Sequence, residues 1–260
     1  TTIQDNRFVS ANPFDEVVGP SYQFRTDIYS GSIVFATPGY LFSDLSMTYD
    51  WSDVHADLAG TGTNKTVLTT NVSATTGSNF TSDGYVGSSI AAANYPIYQT
   101  DDTDFEYGTG NFTMELWFNS DDSSPNLMFF WKYQAGSATN SEWFMDIYAD
   151  RMRIAVSYNG NNEAYLQGPV LSWTGGQWYH IAYVRNGTSV RMYRDGVDVG
   201  GVTLPSGANI NATSNPASIF ARPGSTQYES PAKFQDLRVY KGIAKYTSSF
   251  TPPESMVYLP

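Results

Sequence analysis

A chain of 260 residues can bury one substantial core, and without a single cysteine that core must stand on packing and hydrogen bonds alone, with no disulfide and no thiolate metal site. The formal net charge of -11 opposes attraction to phosphate backbones and anionic lipids, so neither nucleic acid nor a membrane surface is an expected partner. Aromatic and charged side chains each make up 15% of the chain, and with abundant Gly, Asn, Ser and Thr this composition suits strands joined by turns rather than long helices. No run of 18 apolar residues could span a bilayer, and Thr1-Thr2-Ile3-Gln4-Asp5 lacks the basic and apolar regions of a signal peptide, so a soluble chain is expected.

Residues 1–62 read as an extended arm. They carry 2 basic and 8 acidic side chains and too few apolar positions for a core, yet too many aromatic rings for a free linker. Such an arm either collects acids because it is solvated or docks on a basic partner surface. Its apolar run Ile33-Val34-Phe35 and the later Tyr40 and Phe42 are the docking candidates. Strand addition fits residues 32–36, whether to the chain's own sheet, a sister subunit or another protein.

Residues 63–260 read as one antiparallel, two-sheet β-sandwich, all-β throughout. Short edge strands and loops are expected between 60 and 87. After Gly108 the alternation sharpens: Phe112, Met114, Leu116 and Phe118 fall on one face of a strand, with Thr113, Glu115 and Trp117 on the other. Strands are expected at 127–133, 143–148 and 152–158. Two hairpins follow, with Asn186-Gly187 between 178–185 and 189–194 and Asp195-Gly196 after them, both strong signals for two-residue turns of positive φ. A last strand covers 234–240, before a tail rich in Thr, Ser and Pro.

Three of these segments carry a family resemblance. Gly108-Thr109-Gly110-Asn111-Phe112-Thr113-Met114-Glu115-Leu116-Trp117 resembles the first strong strand of laminin-G-like jelly rolls of the concanavalin A-like lectin/glucanase type. Trp178-Tyr179-His180-Ile181-Ala182, running on to Tyr193-Arg194-Asp195-Gly196, is similar to that family's hairpin, and Phe234 to Tyr246 with Phe250-Thr251-Pro252-Pro253 is similar to its closing strand and tail. The resemblance implies a jelly roll. The form of the closing strand and tail resembles copies in tailed phages, notably those of marine cyanobacteria. That implies a non-enzymatic protein of the virion surface, of the capsid-decoration or head-fibre type, with the arm on capsid or tail proteins and the sandwich outward. A homo-oligomer, a trimer by analogy with such appendages, and contact with host glycans are implied with it. The alternatives are a tail-fibre or secreted carbohydrate-binding module and, less favoured, a polysaccharide hydrolase.

Glycoside hydrolysis needs two carboxylates about 5–10 Å apart. Glu142, Asp146 and Asp150 share a strand face but are spaced by roughly 13 Å at ~3.3 Å per residue, so no enzyme is expected. Calcium would take loop oxygens, for which Asp101, Asp102 and Asp104, and Asp121 and Asp122, are the candidates, although no fixed ligand spacing marks them and no cofactor is expected. Sugar stacking would use exposed rings with amide partners. The candidates are Trp131, Tyr133, Trp143, Tyr165 and Trp173, with Asn140, Asn161 and Asn162 alongside. His180 shares its strand face with Trp178, Ala182 and Val184 and reads as a core imidazole, while His55 stands alone. The six Asn-x-Ser/Thr sites, at Asn64, Asn71, Asn79, Asn111, Asn186 and Asn211, are read as unglycosylated.

Overall fold

The computed structural model describes residues 105–219, 222 and 232–252, together with the backbones of five short strands before them: β1 (Ile33–Ala36), β2 (Val67–Thr69), β3 (Val72–Ala74), β4 (Gly87–Ser89) and β5 (Ile97–Gln99). Ten strands follow: β6 (Phe112–Ser120), β7 (Leu127–Lys132), β8 (Trp143–Tyr148), β9 (Arg151–Tyr158), β10 (Asn162–Gln167), β11 (Trp178–Asn186), β12 (Ser189–Arg194), β13 (Val197–Thr203), β14 (Ala217–Ile219) and β15 (Ala232–Lys241). They form two antiparallel sheets packed as a sandwich, and the described residues contain no α-helix.

The first sheet runs β13-β12-β11-β6-β15-β4-β3, with β1 also paired to β15, and the second runs β10-β9-β8-β7-β14-β5-β2. The backbone of β1 pairs with β15 of its own chain, from Ile33 opposite Tyr240 to Ala36 opposite Arg238. Of the three places considered for strand addition by Ile33, Val34 and Phe35, the chain's own sheet is the one observed. Tyr40 and Phe42 lie outside the described residues.

Alternation builds the core. Phe112, Met114, Leu116 and Phe118 of β6 pack in one buried cluster with Trp143, Met145 and Ile147 of β8, Met152, Ile154 and Val156 of β9, and Tyr179, Ile181 and Tyr183 of β11. Each such side chain contributes about 1.5–3 kcal/mol on burial. In β7 the alternation is broken. Met128 lies opposite Asp146 and Phe130 opposite Met145, so Phe129 is an extra residue on this strand. Leu127, Phe129 and Phe130 therefore join the core, whereas Met128 and Trp131 form a separate cluster with Tyr133, Phe144 and Tyr148 on the outer face. A similar irregularity between Gln235 and Arg238 lets both Phe234 and Val239 of β15 face inward.

The second hairpin forms as expected, with Asp195 and Gly196 at φ 51° and 77°. In the first hairpin the turn is shifted by one residue. Asn186 still pairs with Ser189, so Gly187, at φ 60°, and Thr188 make the loop, and Gly187 donates to the Asn111 side chain at 2.8 Å.

After β15 the chain turns at Gly242 and crosses the outer face of the first sheet. Lys245 Nζ lies 2.6 Å from Glu115 Oε1, and the Tyr246 hydroxyl donates to Glu115 Oε2 at 2.6 Å. The Tyr246 and Phe250 rings stack at 3.5 Å and 5° and pack over Ala182, Val184 and Tyr193. His180 is sealed beneath them, its Nε2 3.5 Å from Glu115 and its ring edge-on to Trp117 and Phe250. The imidazole is buried, but under the tail on the outer face and not in the core as expected, because the core face of β11 is the one that carries Tyr179, Ile181 and Tyr183.

Phe250 N–H donates to the Gly196 carbonyl at 2.9 Å, and a Cβ on Gly196 would collide with the Phe250 carbonyl. Gly196→Ala is therefore expected to lose about 1–3 kcal/mol from backbone strain alone, with a further loss from the displaced tail. Urea denaturation should show a lowered midpoint, and limited proteolysis should show faster cleavage after Gly242.

Candidate functional site

The outer face of the second sheet holds an open cleft of about 190 Å³, lined by Trp131, Tyr133 and Phe144, by Asp146, Arg153 and Arg222, and by Ala135 and Gly136 of the β7–β8 loop. The extra residue at Phe129 turns Trp131 and Tyr133 outward, and strict alternation in β8 places Phe144 and Asp146 beside them. The pairing of Trp131 with Phe144, Phe144 with Ala155 and Ala155 with Tyr165 continues the same row across the sheet.

Four rings of this face touch in sequence. Tyr165 lies 6.3 Å from Phe144, Phe144 is 5.1 Å from Tyr133 and 5.7 Å from Trp131, and Trp131 meets Tyr133 at 5.3 Å. Tyr165 is 47% exposed, so it presents ring surface to solvent, while Trp131 is only 7% exposed, packed on Phe144 and Tyr133 with the Arg222 guanidinium 5.0 Å from its ring centroid. The Tyr133 hydroxyl bonds to Glu163, and burial followed by that carboxylate raises its pKa.

Not all expected sugar contacts gather here. Trp143 is 1% exposed, with its indole N–H 3.4 Å from the Phe105 carbonyl, and Trp173 is 6% exposed against Phe118 and Tyr179. Both are core residues and offer no face to a ligand. In Trp143-Phe144-Met145 the pleat points Trp143 inward and Phe144 outward, and Phe144 takes the place expected for Trp143. Asn140 and Asn161 on loops and Asn162 at the start of β10 are exposed, with Asn161 accepting from Thr139 at 3.2 Å, but they do not line the cleft. Asp121 and Asp122 are exposed, and no group of three or more metal-ligating side chains occurs among the described residues. Asp101, Asp102 and Asp104 lie outside them.

The three carboxylates weighed for hydrolysis are held apart by local partners. Glu142 is fully buried in an ion pair with the equally buried Lys132, and it accepts from Thr213 N at 2.7 Å and Thr213 Oγ1 at 2.9 Å. Burial raises its pKa against these partners. Asp146 accepts two bonds from Arg153, with Nε at 2.8 Å from Oδ1 and Nη2 on Oδ2. Asp150 sits at φ 62° in the tight β8–β9 turn. These local partners set the three carboxylates in separate surroundings, and of them only Asp146 lines the cleft.

Burial raises the Asp146 carboxyl from 3.8 to about 6, against the lowering by Arg153 and Arg222. The folded protein then holds this proton more tightly than the unfolded chain, so ionisation weakens the fold. Relative to Asp146→Asn, wild-type stability is expected to fall as pH rises from 3.8 to about 6 and to level off above it. Denaturation titrations across that window check the sign, and a rise instead would mean that the Arg153 pair outweighs desolvation.

Residues 92–244, more than half of the chain, match the family model Laminin_G_3, described as the concanavalin A-like lectin/glucanases superfamily. A comparison with curated proteins finds no match. Among solved structures, the binding domain of Paraclostridial mosquitocidal protein 1 is similar with a TM-score of 0.57 at 12% identity, over 82% of this chain and 49% of that one. The receptor-binding domain of botulinum neurotoxin D gives 0.57 at 9% identity, over 83% and 50%. The ligand-binding domain of botulinum neurotoxin serotype D, solved in complex with N-acetylneuraminic acid, gives 0.57 at 10%, over 83% and 49%. This chain spans about half the length of these domains, and at such identities the likeness is one of fold. With the sandwich, the tail-sealed sheet and the family match in place, the chain belongs to the concanavalin A-like lectin/glucanases superfamily, as a laminin-G-type jelly roll.

Proposed function

We propose that this protein is a non-enzymatic carbohydrate-binding module whose ligand lies on the outer face of the second sheet. The observation that carries the reading is the run of contacting rings from Tyr165 through Phe144 to Tyr133, which ends in an open cleft with charged walls. Flat rings meet the C–H faces of sugars, and a few fixed polar groups set orientation. The cleft is smaller than the ~300–1,000 Å³ usual for drug-sized ligands, so it suits one sugar ring, with further rings of a glycan along the aromatic run. Structural neighbours solved as binding domains, one of them with a sialic acid, support a binding role.

Tyr165→Ala is the cleanest test, because an exposed ring can be removed at a stability cost within about 0.5 kcal/mol. Glycans selected on an array should bind the variant at least ~10-fold more weakly, about 1.4 kcal/mol. Unchanged affinity would remove the aromatic face from the site.

The form of the closing strand, Tyr240-Lys241-Gly242-Ile243-Ala244-Lys245-Tyr246, and of the Phe250-Thr251-Pro252-Pro253 tail favours a tailed-phage virion surface as the setting, with residues 1–62 toward the particle. Antibodies against the sandwich should then label intact particles. Protein recovered only from the particle-free fraction of a lysate would end that placement.

A further inference from the structure

The sequence contains Asn-Gly at two places, Asn159-Gly160 and Asn186-Gly187, and both pairs are exposed where one strand of a hairpin hands over to the next. In such a pair the amide nitrogen of the glycine can attack the side-chain carboxamide before it, because glycine has no Cβ to hinder ring closure. In the folded chain each of these nitrogens is already engaged. Gly160 N–H donates to Asn211 Oδ1 and Gly187 N–H donates to Asn111 Oδ1, both at 2.8 Å. The bond must break before the nitrogen can lose its proton and turn on its neighbour, which slows the reaction by about 5-fold for one ordinary hydrogen bond.

The two sites differ at the carboxamide. Asn159 Oδ1 accepts from Asn209 N–H at 2.9 Å, so residues 209–211 hold both reacting groups of that pair. Asn211 is itself anchored, its Nδ2 donating to the carbonyls of Ala138, Ser141 and Gly160. Among the described residues no hydrogen bond holds the Asn186 carboxamide, so the protection of this site rests on Asn111 alone.

We propose that Asn186 is a site of spontaneous deamidation to aspartate and isoaspartate, and that the Asn111 side chain sets its rate by holding the Gly187 amide. The Gly187 nitrogen gives its proton to solvent base and forms a bond to Asn186 Cγ, and Nδ2 leaves as ammonia. Water then opens the cyclic imide at either carbonyl, with no change of oxidation state. Opening toward isoaspartate inserts a methylene into the backbone between residues 186 and 187. That shift strains two ties of Gly187, its N–H on Asn111 and its carbonyl, which accepts from Arg185 Nε at 3.0 Å. Arg185 is buried and also donates to the carbonyls of Gly108 and Ala208, at 2.6 Å each, so the altered turn pulls on the junction of three segments.

The full chain is aged at mildly alkaline pH and physiological temperature, and peptide mapping by mass spectrometry with isoaspartyl methyltransferase labelling follows both sites. Asn186 is expected to convert before Asn159 in the folded protein. Asn111→Ala should speed conversion of Asn186 by ~5-fold and leave Asn159 within about twofold, whereas Asn111→Asp, which keeps an oxygen acceptor, should stay near the wild-type rate. In urea, where the bond to Asn111 is lost, Asn111→Ala and wild type should convert Asn186 at the same rate. Circular dichroism of each variant confirms the fold.

Conversion of Asn159 as fast as Asn186 in the wild type would overturn the proposal, as would an Asn186 that stays intact in both the folded protein and Asn111→Ala. An Asn111→Ala variant that leaves the rate at Asn186 unchanged, or that speeds both sites equally, would also overturn it, the second by showing a loosened fold in place of a local guard.

Discussion

Successive side chains of a strand point to opposite faces, so one inserted residue exchanges everything that follows it between core and surface. In β7 that residue is Phe129. Under strict alternation of the same residues with no bulge, Trp131 and Tyr133 would share the face of Leu127 and enter the core, and Lys132 would point outward. With it, Phe130 fills the interior, 6.4 Å from Tyr183, and Trp131 meets Phe144 outside. Lys132 is also brought to the buried Glu142, and with Thr213 this pair ties β7 to the segment that leads into β14. The aromatic face and the internal ion pair therefore have one cause.

The two outer faces are treated in opposite ways. On the first sheet the polar groups of Glu115, Lys245 and Tyr246 satisfy one another under stacked rings, and the result is closed. On the second sheet the charged groups stand among rings that remain partly open, with Arg153 13% exposed beside a fully buried Asp146. The paired bonds from Arg153 to the buried Asp146 hold that guanidinium in a fixed orientation beside the rings.

Much of the fold could be read from alternation and turn chemistry. The faces of β6 and the Asp195-Gly196 turn follow from local residue order, and the family resemblance rests on those same segments, whereas His180 is buried only because the distant tail covers it. The candidate site was less legible, because its composition depends on features that periodicity does not record. A bulge cannot be located from Leu127-Met128-Phe129-Phe130-Trp131, where every residue is apolar and any register buries something. Trp143 and Phe144 are adjacent aromatics, and only the pairing partner decides which one faces out. Arg222 reaches Trp131 across 91 positions of sequence, a contact that nothing local announces. Lys132 and Glu142 are both fully buried and paired with each other, a contact that strand alternation does not announce.

The position of the last strand has a consequence for how the molecule is made. β15 lies between β6 on one side and β1 and β4 on the other, so the middle of the first sheet is supplied by the last of the described strands in chain order. The second sheet from β10 to β7 and the β11–β12–β13 meander can form from near neighbours in sequence, whereas joining β4 and β1 to β6 must wait for residues 232–241. Closing such distant pairings is slow, and until then β6 presents an unpaired apolar edge. A sheet still lacking β15 is the form exposed to strand exchange with a neighbouring copy, a hazard set by topology and independent of the stability of the finished sandwich.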